Sequence, residues 1–274
     1  MISNEVAIGA TEELRLRVSV AALVRVLFEH PRTGEWILAL ERKATLYETQ
    51  TGRSVEIKSQ PFGGAIRIYD LQTLRQHIGE FHFDSEESRS EQDFRIFIHP
   101  SAWETVKEFC LQHLRQPGNP ILESDPTREL AEEFADTLGI QLKPDQYVHQ
   151  PVGMVIENHP FPAKSLHARG APTARLYRIF EARLLDPSLR QAMIDKSKIY
   201  SDQKLREIAL EDFQNDGPGR ANAVLTVPLS QISNAYESTA LETRNSPISF
   251  QNDRLDETVA AVLEGITVPK YQRL

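Results

Sequence analysis

The stretch from Asp125 to Ile140, DPTRELAEEFADTLGI, limits what the chain can fold into more tightly than any other. Asp125 suits an N-cap, Pro126 the first helical position and Gly139 the far end, which predicts a helix with both ends specified. At about 100° per residue, Leu130, Ala131, Phe134, Ala135 and Leu138 share one arc, and Glu129, Glu132, Glu133 and Asp136 the opposite one. One face packs and the other is an array of carboxylates. Like charges one turn apart each cost about a few tenths of a kcal/mol, and the helix dipole favours acids only in the first turn. Arg128 can pair with Glu132, and a hard divalent ion with oxygen ligands, Mg²⁺ or Mn²⁺, suits the remainder. A plainly solvated acidic face is the alternative.

Arg128-Glu129-Leu130-Ala131-Glu132-Glu133 also matches the REUxEE centre of the Nudix box, G-x5-E-x7-R-E-U-x-E-E-x-G-U with U aliphatic, and on that word the chain resembles the Nudix hydrolase superfamily. The resemblance implies that Glu129, Glu132 and Glu133 hold metal and that Arg128 braces the preceding loop, with Glu132, Glu133 and Arg128 the catalytic set. Two positions depart from the pattern. Pro120 stands where the family has its upstream glutamate, with Glu123 the nearest acid, and Ala135 stands where it has glycine.

A chain of 274 residues, 40% apolar and 26% charged, has ample material for a core. The net charge of -8 without a basic tract argues against duplex nucleic acid or an anionic membrane as the main partner. A phosphorylated small molecule remains compatible, because a metal can supply local positive charge. Cys110 is the single cysteine, so neither an internal disulfide nor a cysteine-based zinc site is available. No signal peptide or membrane-spanning run is read, which makes the cytoplasm the expected location. The oligomeric state, a homodimer included, stays open.

Along the chain, Leu14 to Leu27 reads as a valine-rich strand and Trp36 to Arg42 as its hairpin partner. Gly63 and Gly64, after Pro61, point to backbone brought close to a ligand or forced into unusual dihedrals, with a plain bulge as the alternative. The family resemblance makes both glycines active-site backbone. Residues 70–120 read as an inserted subdomain, with helices at Leu71 to Ile78 and Ala102 to Leu114; Cys110 and His113 are packing residues of the latter. Farther on, Ala174 to Ala182 alternates as a strand, with Leu176, Arg178 and Phe180 on one side and Arg175, Tyr177 and Ile179 on the other. Arg169, Arg175 and Tyr177 are candidates to grip phosphate or stack on a base, or else ordinary rim residues. Helices follow at Leu189 to Ile199 and Asp202 to Phe213, then a strand from Ala221, and a closing helix is expected from Leu255 to Leu263. By the same family resemblance, Glu211, Asp212 and Asp216 are candidates for a downstream catalytic base or a further metal ligand. No GxGxxG, GxxxxGK[ST] or HExxH occurs.

Together these readings predict an α/β fold, a single domain over residues 1–274 with a Nudix-type mixed β-sheet sandwiched between helices and an inserted α+β subdomain at 70–120. The implied activity is Mg²⁺- or Mn²⁺-dependent hydrolysis of a diphosphate linkage in a nucleoside diphosphate derivative. The rivals are a catalytically inactive Nudix-like nucleotide-binding sensor and an interaction protein built on the same fold.

Overall fold

The computed structural model describes residues 16–49, 52–157, 160–162, 168, 170–199, 201–217, 219–229 and the backbone of 247–250. The expected closing helix from Leu255 and the candidate Arg169 lie outside them. The elements in chain order are strands β1 (Leu16–Glu29), β2 (Trp36–Thr49), β3 (Gly52–Gln60) and β4 (Phe62–Ala65), helix α1 (Leu71–Ile78), β5 (Phe81–Phe83), α2 (Glu86–Glu91), β6 (Arg95–Ile98), α3 (Trp103–His113), α4 (Thr127–Leu138), β7 (Tyr147–Glu157), β8 (Phe161–Pro162), β9 (Pro172–Leu184), α5 (Pro187–Ile199), α6 (Asp202–Gln214), β10 (Arg220–Pro228) and β11 (Pro247–Phe250). They build an α/β structure in which helices flank a large, mostly antiparallel open sheet, with central order β10-β2-β1-β9-β7-β11.

Strand β1 organises that sheet. Its alternation of β-branched residues puts Val18, Val20, Val24 and Val26 on one face, all fully buried. One edge pairs with β9 in parallel from Arg17 opposite Thr173 to Leu27 opposite Arg183. The other edge is shared in succession by β6 at Leu16 to Ser19, β4 at Ala21 to Val24 and β2 at Val26 to Glu29, all antiparallel. The β1–β2 hairpin closes on Gly34 at φ 70°, and the His30 N–H donates to the Glu35 carbonyl at 2.7 Å. Beyond Ala39, β2 leaves β1 and pairs with β3 instead. Pro61 follows β3; it has no N–H to give a ladder, and the chain crosses there from β2 to β1 as β4.

Both sheet faces are covered. Leu130, Phe134 and Leu138 of α4 pack on the face carrying Val18, Val20 and Val24, where the Phe134 and Phe62 rings lie 5.2 Å apart. Leu205 and Ala209 of α6 pack on the other face, against Ala44, Ala221 and Ala223. Within the 70–120 segment, Asp70 caps α1 by accepting from the Thr73 N–H and Ser85 caps α2 by accepting from the Ser88 N–H. Its apolar residues Leu74, Phe81, Trp103, Val106 and Leu114 join the same core as β1 and α4. Cys110 is fully buried there, and burial pushes its thiol well above the usual range, which leaves it inert. No described helix is long and apolar enough to cross a membrane.

Helix α4 begins one residue later than its sequence implies, at Thr127, because Asp125 Oδ1 accepts from the Thr127 N–H at 2.9 Å and leaves Pro126 outside the helix. It ends on Gly139 at φ 69°, whose N–H returns to the Ala135 carbonyl at 2.9 Å. Phe134 is its main anchor. The variant Phe134→Ala is expected to lose about 3–5 kcal/mol of unfolding free energy, read by urea denaturation, whereas a loss below about 1 kcal/mol would show that α4 is held by its polar contacts instead.

Candidate active site

Arg128, in the first turn of α4, lies beneath the end of β4 and the loop before the helix. Its Nε donates to Glu123 Oε1 at 2.9 Å and its Nη2 to Glu123 Oε2 at 2.6 Å, a two-pronged fork. Nη2 also donates to the Ala65 carbonyl at 3.0 Å, and Nη1 to Glu132 Oε2 at 2.8 Å. Glu129 completes the set as a further ion-pair partner. Glu123 is fixed in turn, since its Oε2 accepts from the Arg67 N–H at 3.1 Å and its own N–H donates to the Arg67 carbonyl at 2.9 Å. A glutamate five residues before the arginine thus takes the guanidinium fork, and Pro120, eight before, does not take part.

The two glycines of β4 are needed for different reasons. Gly63 sits at φ 126°, and a Cβ there would strike the Ala22 carbonyl of the neighbouring strand. At Gly64 a Cβ would occupy the place of the Glu129 carboxylate. Glu129 is therefore a buried acid resting directly on glycine backbone, 6% exposed. Burial raises its pKa to about 7; Arg128 opposes the rise, and the neighbouring Glu132 and Glu123 charges reinforce it.

One turn along, Glu133 reaches a group that the sequence did not single out. Lys43 Nζ of β2 lies 3.2 Å from Glu133 Oε1 and 2.8 Å from Glu41 Oε2. Glu41 is fully buried and also accepts from Thr137 Oγ1 of α4 and Gln60 Nε2 of β3, each at 3.1 Å. Burial and the nearby Glu41 raise the pKa of Glu133. Burial lowers that of Lys43, but the two carboxylates outweigh it and the net shift is upward. The signal for this pair was present in the sequence: Ile37, Ala39, Glu41 and Lys43 follow one period-two stripe, so an inward acid and base interrupt an apolar strand face.

The carboxylates proposed for metal do not stand as one cage. Glu129 lies over Gly64, Glu132 is paired with Arg128 with its side chain 54% exposed, and Glu133 turns to Lys43. Among the described residues, no group of three or more His, Cys, Asp or Glu side chains is arranged to hold a metal ion. Arg175 and Tyr177 are not brought to α4 either. They register with Ser19 and Ala21 of β1, the stripe opposite Val18, Val20 and Ala22, and Tyr177 packs with Leu23, Val152, Val155 and Ile179. Of the downstream acids, Asp212 organises a turn: its Oδ2 accepts from the Gly219 N–H at 2.9 Å and the Arg220 N–H at 3.3 Å, and α6, which carries Glu211 and Asp212, packs on the far sheet face. Asp216 occupies that turn at φ 63°.

The raised pKa of Glu129 has a signed consequence for stability. Its folded value of about 7 lies above the ordinary 4.5, so the folded state keeps the proton longer and stability falls as pH rises from about 4.5 to about 7. In chelator-treated protein the expected loss across that window is on the order of 3 kcal/mol from this group. Glu129→Gln should flatten the decline measured by urea denaturation at pH 5 and pH 8; an unchanged slope would mean that Glu129 is ionised throughout. No family model, curated protein or solved structure matches this chain.

Proposed function

We propose that the chain has the Nudix-type variant of this α/β architecture and is a metal-assisted hydrolase that cleaves a diphosphate linkage in a nucleoside diphosphate derivative. The observation that carries the reading is the seating of Glu129 on the Gly64 backbone while Arg128 ties the same helix turn to the Ala65 carbonyl and to Glu123. The residue types, though not their present spacing, suit a hard divalent ion: Glu129, Glu132 and Glu133 offer carboxylate oxygens from adjacent turns of one helix, and oxygen ligands are what Mg²⁺ and Mn²⁺ take. Held by these three residues, such an ion would neutralise diphosphate oxygens and acidify a bound water.

The chain's own groups would do the rest. Glu133, whose proton affinity is raised by burial and by Glu41, would take the proton of the attacking water once it is ionised. Lys43 holds that carboxylate in place, and Glu41, locked by Thr137, Gln60 and Lys43, fixes the lysine. Arg128 sets the spacing between α4 and the glycine strand. Most of the rate enhancement would come from positioning and fixed charge.

One observation favours a second reading, a Nudix-like nucleotide-binding sensor without turnover. Lys43 and Arg128 already neutralise the carboxylates, which supplies built-in cations where an enzyme would recruit a metal. A panel of dinucleotides, nucleotide sugars and nucleoside triphosphates with Mg²⁺ or Mn²⁺ separates the two. The hydrolase reading expects release of mononucleotide or phosphate by wild type and a loss of about 100-fold or more in Glu133→Gln, with the fold unchanged. Undiminished turnover in that variant would overturn the site assignment. Silence across the panel, with Mg²⁺ raising the melting temperature of Lys43→Met but not of wild type, is the sensor's signature.

A further inference from the structure

Arg178 lies at the middle of β9 and, unlike Arg175 and Tyr177, on the α4 face of the sheet. It registers with Ala22 of β1, which registers with Gly64 of β4, so one row runs from Arg178 through Ala22 to the glycine that carries Glu129. The ordinary spacing of strands puts the two ends of that row about 10 Å apart. On its other side the row continues to Met154 of β7.

Arg178 is 9% exposed, and it is not compensated as Arg17 and the half-buried Arg128 are. Arg17, 7% exposed, is forked onto Asp84 at 2.6 and 2.8 Å, and Arg128 is forked onto Glu123. Arg178 makes one hydrogen bond, from Nη1 to the Gly153 carbonyl at 3.3 Å, and its Nε is buried with no partner. No carboxylate among the described residues pairs with it. Its guanidinium lies 5.5 Å from the centre of the Phe180 ring, a weak substitute for an anion. Burial lowers its pKa, and the charge of Arg115, just beyond α3, lowers it further. Arg115 thus adds to the positive field around Arg178. A second unpartnered nitrogen lies nearby: the His149 ring packs edge-on to Phe180 at 6.2 Å, its Nδ1 is buried without a partner and its Nε2 faces Asp125 Oδ2 at 3.3 Å.

A buried guanidinium whose Nε has no partner and whose fork meets no carboxylate is costly unless something anionic arrives. We infer that Arg178, with His149 packed against the same Phe180 ring, holds a phosphate group of a ligand bound on the α4 face. A phosphate suits the spot because its oxygens match the arginine fork and its charge answers the positive field that Arg115 adds to that of Arg178. This deepens the diphosphate reading, on which it rests only for the identity of the ligand, since the row that starts at Arg178 ends at Glu129.

The test uses the full chain and pyrophosphate as the probe, with chloride at matched ionic strength as the reference. Wild type should show a rise in melting temperature that saturates with pyrophosphate. Arg178→Met, which replaces the charge with an apolar chain of similar length, should melt no lower than wild type in chloride and bind pyrophosphate at least tenfold more weakly by calorimetry. An Arg178→Met protein that melts lower yet keeps the full pyrophosphate shift would overturn the inference and make Arg178 a packing residue. Should that variant fail to fold, Arg178→Lys keeps the charge and removes the fork; a several-fold loss of affinity is expected, and unchanged affinity overturns the proposal. Pyrophosphate bound by wild type with no turnover of any nucleotide would sink the hydrolase reading and leave this site standing, whereas turnover without Arg178-dependent binding would do the reverse.

Discussion

One guanidinium holds the centre of this molecule together. Arg128 touches Glu123 in the loop before α4, the Ala65 carbonyl at the end of β4, and Glu129 and Glu132 on its own helix. Without it, Glu123, Glu129 and Glu132 would repel one another, and α4 would lose its polar tie to the Ala65 carbonyl and to Glu123 of the preceding loop. The helix is also anchored by apolar packing through Phe134 and Phe62. The two attachments act at different ends of α4: packing fixes how far the helix stands from the sheet, and Arg128 fixes its rotation and register along β4.

That arrangement depends on the unusual edge of β1. Three separate strands share one side of it, and β4 gets its place because β2 has turned away to pair with β3. The crossing at Pro61 brings two glycines to the middle of the sheet, under a helix whose first turn is acidic. Glu129 can then approach the backbone as no side chain on β4 would permit. Electrostatics follows from the same geometry, since an acid pressed into dry surroundings against strand backbone holds its proton more tightly.

Much of the frame was legible in the sequence. The period of Leu130, Phe134 and Leu138 and the stop at Gly139 identified α4, and the pairing of Pro61 with Gly63 and Gly64 marked β4 as special. What remained hidden was long-range. The alternation of β9 was read correctly, yet nothing local says which of its faces meets α4; that is settled by its parallel register with β1. The same holds for Lys43 and Glu41. Their stripe on β2 is visible, but their meeting with Glu133 and Thr137 requires knowing that β2 passes beside α4. Asp212 illustrates the opposite error: a carboxylate near a glycine-rich turn reads as chemistry, and it spends its oxygen on the turn's own N–H groups. Arg178 carried no local signal, because an arginine among Leu176 and Phe180 looks the same whether or not a carboxylate lies across from it.

Cys110 offers a different kind of opportunity. It is the chain's single cysteine, and it is sealed where α3 meets the shared core. A thiol reagent in solution can meet it only when that part of the structure opens. The rate of labelling therefore reports how often the 70–120 segment parts from the sheet, and comparing it with global unfolding would reveal whether the segment opens alone or with the whole. The molecule thus carries its own clock for the motions of the region that covers the lower half of β1, with no engineered probe required.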